Sequence, residues 1–262
     1  MILKRVLSAF AIVSLVWSSA FSQIKTVKSA DRQPAKIETP FVVGERLEYE
    51  VSWSSFIVAG ELILETKERR DFNGVDGFHV SALAQSVGLV NLTVLKVKDN
   101  YDSFINAATL QPFRAEKNSR RGKKRAQGSM SLDQEKGKAT LEDGRSIEIP
   151  QNTYDLASLL YAIRTMDITQ GKAYQFTLLE DGKLYNLTAQ VEGREKITTR
   201  TGKYDTVIVS TRAANGSKEK DPYKLKIYLT NDASRLPILI RAEPTWGEIK
   251  VELIQATGTK KK

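Results

Sequence analysis

The chain has 262 residues, with 40 Lys and Arg, 31 Asp and Glu, one His and no Cys, for a formal net charge of +9. The missing Cys excludes disulfides, thiolate chemistry and Cys-based metal sites, and the single His excludes any site built on two imidazoles. An apolar content of 41% is enough for a sizeable core, so a globally disordered chain is excluded as well.

Residues 1–22 read as a cleavable signal peptide. Lys4 and Arg5 form the positive start, residues 6–17 are apolar, and Ala20 and Ser22 are the small residues before a cut at Ser22/Gln23. The apolar run falls well short of the ~20 residues that span a bilayer. With no Cys at the cut, bacterial lipidation is excluded, and the expected location is the periplasm or the exterior. Residues 23–40 are polar, carry Pro34 and Pro40, and read as a flexible lead-in. The folded part is expected over 41–256, followed by a basic tail, 257–262.

Within 41–256 the dominant period is two. Leu47, Tyr49, Val51 and Trp53 alternate with Glu48, Glu50 and Ser52. Phe78, Val80, Ala82 and Ala84 repeat the pattern, as do Tyr204, Thr206 and Ile208, then Tyr223, Leu225, Ile227 and Leu229, then Ile249, Val251 and Leu253. Such alternation puts one strand face in a core and the other in water. Turn dipeptides separate the strands, and Asp181-Gly182 predicts a hairpin between 174–180 and 183–191. The expected fold is mainly β: one curved, barrel-like antiparallel sheet of roughly a dozen strands.

One segment departs from this period. Leu156, Leu159, Leu160 and Ile163 have helical spacing and predict a short amphipathic helix over 153–166, capped by Asn152 or Thr153, with Asp155 in its first turn. A helix in such a sheet would plug an open end or cover one face. A faint repeat spans it: residues 44–51 and 171–178 both run Gly, charged, any, apolar, polar, aromatic, polar, apolar.

Several landmarks resemble a bacterial exported family, domain of unknown function 3108. They are residues 41–49 with Trp53 and Ala59-Gly60, then Tyr101-Asp102-Ser103, residues 109–112, the helix at 155–164, residues 202–206, and the stretches around 235–238 and 247–249. The resemblance covers about 41–256 and implies an exported β-rich protein. It supplies no catalytic residues. A looser architectural likeness connects it to envelope carriers in which a curved sheet surrounds an apolar cavity.

Candidate sites are sparse. His79 falls out of phase with Phe78 and Val80 and should lie on the polar face, and no G-x-S-x-G elbow accompanies it. The acids are scattered without a calcium-loop pattern, so neither a metal site nor a cofactor is expected. Tyr161 and Arg164 neighbour one another on the helix. Arg164 would either hold an anionic head group at a cavity mouth or pair with an acid. Tyr49 and Trp53 would line a pocket or simply fill the core. Arg120, Arg121, Lys123, Lys124 and Arg125 form the densest charge run, expected at a hairpin tip as a solvated loop or a dock for anionic surfaces.

The expected function is therefore non-enzymatic. The leading reading is a periplasmic module that binds an amphipathic or envelope-derived ligand, such as a lipid, lipopolysaccharide or acidic glycan, without nucleic acid. The alternatives are an interaction module docking to anionic envelope surfaces through the basic loop, with peripheral membrane contact, and a hydrolase whose carboxylates meet only in the fold.

Overall fold

The structure is a computed structural model and describes residues 38–54, 57–88, 96–213, 224–243 and 247–260. The expected signal peptide, most of the lead-in, Tyr223 and the end of the tail lie outside the described residues.

The chain forms β1 (Arg46–Trp53), β2 (Ile57–Asp71), β3 (Asp76–Ser86), β4 (Val97–Asn106), β5 (Pro112–Arg121), β6 (Lys124–Asp133), β7 (Lys138–Leu141), β8 (Ser146–Glu148) and β9 (Thr153–Tyr154). Helix α1 (Leu156–Thr165) follows. Then come β10 (Ala173–Glu180), β11 (Lys183–Thr199), β12 (Gly202–Ala213), β13 (Leu225–Thr230), β14 (Pro237–Ala242) and β15 (Ile249–Thr257). All join one 15-stranded sheet in the order β8-β7-β6-β5-β4-β3-β2-β1-β15-β14-β13-β12-β11-β10-β9. Every pairing is antiparallel except β9 with β10.

Sheet order and chain order together show why the sheet must curl. Its two edges, β8 and β9, are consecutive in sequence and joined by residues 149–152 alone. That link reaches at most ~17 Å, so the sheet bends until its edges nearly meet. The result is the expected barrel-like curve, with more strands than the turn signals alone marked.

Helix α1 fills this curve. Leu159, Ala162, Ile163 and Met166 pack against Leu178, Leu187, Val191, Val207, Val209 and Leu229 of β10–β13. Ala157 and Tyr161 pack against Phe41, Phe78, Val80 and Ile105. Leu160 meets the cluster of Leu47, Tyr49, Leu64, Ile238 and Leu253. A helix buried on all sides belongs inside a fold, and the sheet supplies the apolar surround. The cap is Asp155, not Asn152 or Thr153: its carboxylate accepts from the Ser158 amide at 2.8 Å, and its own amide donates to Ser158 Oγ at 3.0 Å. The short β9 takes up Thr153, pushing the helix start inward.

The Asp181-Gly182 hairpin forms as expected, with Glu180 opposite Lys183. Alternation holds where the ladders are regular and fails at bulges. In β12 Tyr204 packs on the core and Thr206 is buried, as expected, but beyond them Val207 and Val209, not Ile208, lie in the core, beside the register shift that leaves Glu192 of β11 unpaired. In β1, Ser52 is buried, beside a register shift between Val51 and Ser52 that leaves Ala59 of β2 unpaired.

The faint sequence repeat has a structural counterpart. Gly44 and Gly171 hold φ of +88° and +86°, a region open to glycine. The Gly44 amide donates to the Thr66 carbonyl while Thr66 donates back to Glu45; the Gly171 amide donates to Val191 while Val191 donates back to Lys172. Bulges follow both partners, at Thr66/Glu68 and Val191/Gly193. Strand pairs β1–β2 and β10–β11 thus open with one local design.

Candidate functional site: a cleft inside the curled sheet

The sequence-predicted pocket residues Tyr49, Tyr161 and Arg164 do come together, but in a closed cluster. Arg164 is 2% exposed. Its Nη1 and Nη2 donate to the Glu45 carboxylate at 2.6 and 3.0 Å, its Nη2 also to the Ser234 carbonyl at 3.0 Å, and its Nε to the Arg235 carbonyl at 3.1 Å. The guanidinium lies over the rings of Phe41 and Tyr161. Tyr161 accepts from Thr66 Oγ1 at 3.2 Å, and Tyr49 is wholly buried beside the pair, which pushes its hydroxyl pKa well up. Arg164 therefore stands at no cavity mouth. Its fork is filled by protein groups, and it ties the helix to the start of β1 and to the β13–β14 turn. Trp53 lies apart, at the far end of β1, where a Cβ on Gly247 would run into its indole.

Open space lies elsewhere. A cleft of about 490 Å³ runs between the inner face of β4–β7, the start of α1 and the β10–β11 turn. Alternation sets its walls. On β4 and β5 the inward residues face one another as Asp99 and Ser119, Tyr101 and Lys117, Ser103 and Ala115. Gly128 and Met130 continue this face on β6. Leu141, Leu156 and Leu179 complete an apolar wall.

A polar stripe crosses it. Lys117 Nζ donates to Asp181 at 2.8 Å and Glu180 at 3.2 Å, and lies 5.1 Å from the centre of the Tyr101 ring. Burial pushes the Glu180 carboxyl up to about 7, against the pull of Lys117. Burial works against a charged Lys117, yet Glu180 and Asp181 outweigh it and hold the ammonium pKa above its usual value. Burial also pushes the Tyr101 hydroxyl up to about 12. Ser103 Oγ donates to the capping carboxylate of Asp155 at 2.5 Å, and burial raises that carboxyl too. Acids outnumber bases on the inward side of the cleft: Glu142, Asp143, Asp155, Glu180 and Asp181 against Lys117 and Arg145, while Asp102 and Glu116 border it from outward-facing strand positions. An anionic ligand finds a poor match there.

The basic run forms the expected hairpin tip, with Gly122 at φ +61° in the turn. Arg121 leaves the group: it falls on the inner face opposite Val97 and donates to Asp99 at 2.9 Å. Arg120, Lys123, Lys124 and Arg125 are exposed. His79 lies on the outer face, stacked on Phe104 and 2.7 Å from Asp102, whose carboxyl it holds down at about 2. Among the described residues, no three His, Asp or Glu side chains converge as metal ligands.

Sequence reading missed Glu45, Lys117 and Glu180. Their partners are 119 and 63 residues away, and an isolated acid or lysine in a strand carries no local mark of such pairing.

A single antiparallel sheet curled around one internal helix defines a barrel-like protein. The chain belongs to the DUF3108 family, described as protein of unknown function, whose model matches residues 48–254. No functionally curated protein matches it. It is similar in structure to a β-barrel-like protein of the DUF1849 family from Brucella abortus, at 12% identity, covering 82% of this chain and 97% of that one, with a TM-score of 0.56. A DUF1089 family protein from Pseudomonas aeruginosa gives a TM-score of 0.44 at 10% identity, covering 83% of this chain and 95% of that one.

Proposed function

We propose that this protein is an exported, non-catalytic binding module that holds an amphipathic ligand in the cleft. The observation that carries this reading is an apolar wall that ends on a buried ionic group. Met130, Leu141 and Leu156 would take the ligand's apolar body, and Tyr101, Lys117 and Glu180 its polar end. Concave, mostly apolar sites with a few convergent polar groups are the usual form of small-molecule pockets. The acid excess favours a head group that is cationic or rich in hydroxyls over the phosphates and carboxylates of acidic lipids and glycans. Export rests on the leader at residues 1–22.

Gly128 supplies the test. It faces inward opposite Lys117, and a Cβ there meets nothing within 4 Å. Gly128→Trp would occupy the cleft, and a strand glycine is replaced at little backbone cost. Titration with a fluorescent cationic amphiphile should give saturable binding to the native chain and none to G128W at unchanged far-ultraviolet circular dichroism. Equal binding by both would remove the cleft from the account.

A second reading, a carboxylate-based glycan hydrolase, is favoured by one observation: Glu180, with its pKa near neutrality, shares the cleft with Asp155. It requires turnover that vanishes in Glu180→Gln. The binding reading requires none, and Asp155 and Glu180 already serve as helix cap and lysine partner.

A further inference from the structure

The outer face of β4–β6 carries an unmatched row of cations. Lys98 stands opposite Arg120, and Arg120 opposite Arg125, in one line across three strands. All three are exposed, and among the described residues none has an ion-pair partner. Like charges directly opposite one another in a sheet are destabilising. Several other cations of the outer face have acidic partners: Arg46 pairs with Glu65 across strands, Lys67 with Asp102 and Arg114 with Glu116, and in a second line of opposed cations, Lys226, Arg241 and Lys250, two of the three pair with Glu248 and Glu252. The row also adjoins the hairpin tip, where Lys123 and Lys124 are exposed and the Gly122 amide donates to the Lys96 carbonyl at 2.7 Å. At the same end of the sheet β2 begins with two exposed aliphatic residues, Ile57 and Val58, 44% and 41% accessible, which as strand neighbours point to opposite faces and so straddle the rim.

We infer that this rim docks on an anionic lipid bilayer. The cations would meet lipid phosphates, and Ile57 and Val58 would enter the interface. A soluble acidic glycan matches the cations but has no use for the two aliphatic side chains, which is why the bilayer is the better fit. Lys98 belongs to the surface and Arg121 does not, because strand alternation puts them on opposite faces. The inference is independent of the cleft, which lies on the inner face of the same strands.

Vesicles made of equal parts phosphatidylglycerol and phosphatidylcholine, sedimented with the full mature chain, test it, with pure phosphatidylcholine vesicles as the control. Native protein should sediment with the anionic vesicles only, and less as salt is added. Each near-surface cation contributes about a fivefold gain in partitioning, so Lys98→Gln/Arg120→Gln/Arg125→Gln should weaken binding by about a hundredfold. The same triple variant should unfold at a temperature equal to or above the native one, since repulsion in the row is relieved. Ile57→Ser/Val58→Ser should weaken binding too, and G128W should leave it intact. Equal sedimentation of native and triple-variant chains would overturn the inference. So would capture of an acidic glycan by the rim without any vesicle binding.

Discussion

At the scale of single residues, two buried ionic groups do different work. Arg164 and Glu45 lie in the closed part of the interior, and all three nitrogens of the guanidinium donate to protein groups. Arg235, whose carbonyl accepts from Arg164, is held at φ +46°, a region costly for a residue with a side chain. Removing one member of such a pair leaves a buried charge uncompensated and costs ~3–5 kcal/mol. Arg164→Met and Glu45→Gln are each expected to lower stability by about that amount in urea unfolding, while Glu45→Leu/Arg164→Met recovers much of it. Glu180 has a pH signature instead. Below 4.5 it is protonated in both folded and unfolded chains; from there to about 7 only the folded chain keeps the proton. The unfolded chain binds fewer protons in that window, so stability falls as pH rises through it and levels off above. Melting curves between about pH 5 and pH 8 should show this decline in the native chain and a flatter profile in Glu180→Gln. Identical profiles would place the Glu180 pKa at its ordinary value.

At the scale of elements, local signals were legible and non-local ones were not. The Asp181-Gly182 hairpin and the basic hairpin tip follow from turn chemistry within a few residues. Helix α1 follows from the spacing of Leu156, Leu159, Leu160 and Ile163. Its cap was misplaced by two or three residues because Thr153 is drawn into β9, a pairing that needs β10 to be in place. In β12 the expected phase holds for Tyr204 and Thr206 and fails beyond them, where Val207 and Val209, not Ile208, lie in the core beside a bulge on the facing strand. Arg121 and Arg120 look alike in sequence, yet one pairs inside with Asp99 and the other stands in water. The cleft was invisible because Lys117 and Glu180 meet only after the sheet has curled. Asp155 joins element to site. Asp155→Ala loses the helix cap, typically ~1 kcal/mol, and frees the Ser103 hydroxyl at the cleft. Thermal unfolding should detect the loss, and an unchanged midpoint would mean that another group caps α1.

At the scale of the whole molecule, the short link between β8 and β9 draws the two sheet edges together, and α1 occupies most of the space so enclosed. Beside it, among the described residues, lies the apolar-walled cleft with its acid-rich lining, on strands whose outer face carries exposed cations. Opposite charge on opposite faces would let one body stand on an anionic surface while holding a ligand of different chemistry inside. Export is a separate claim with its own test: intact mass of the secreted chain should begin at Gln23, and a chain retaining Met1 would remove the compartment from the account. The central claim is that the cleft is a ligand site. Native mass spectrometry of the protein purified from its own cells addresses it most directly. The account predicts a discrete non-covalent adduct on the native chain that is lost from G128W purified alongside it; bare mass in both, or the same adduct on both, would contradict it.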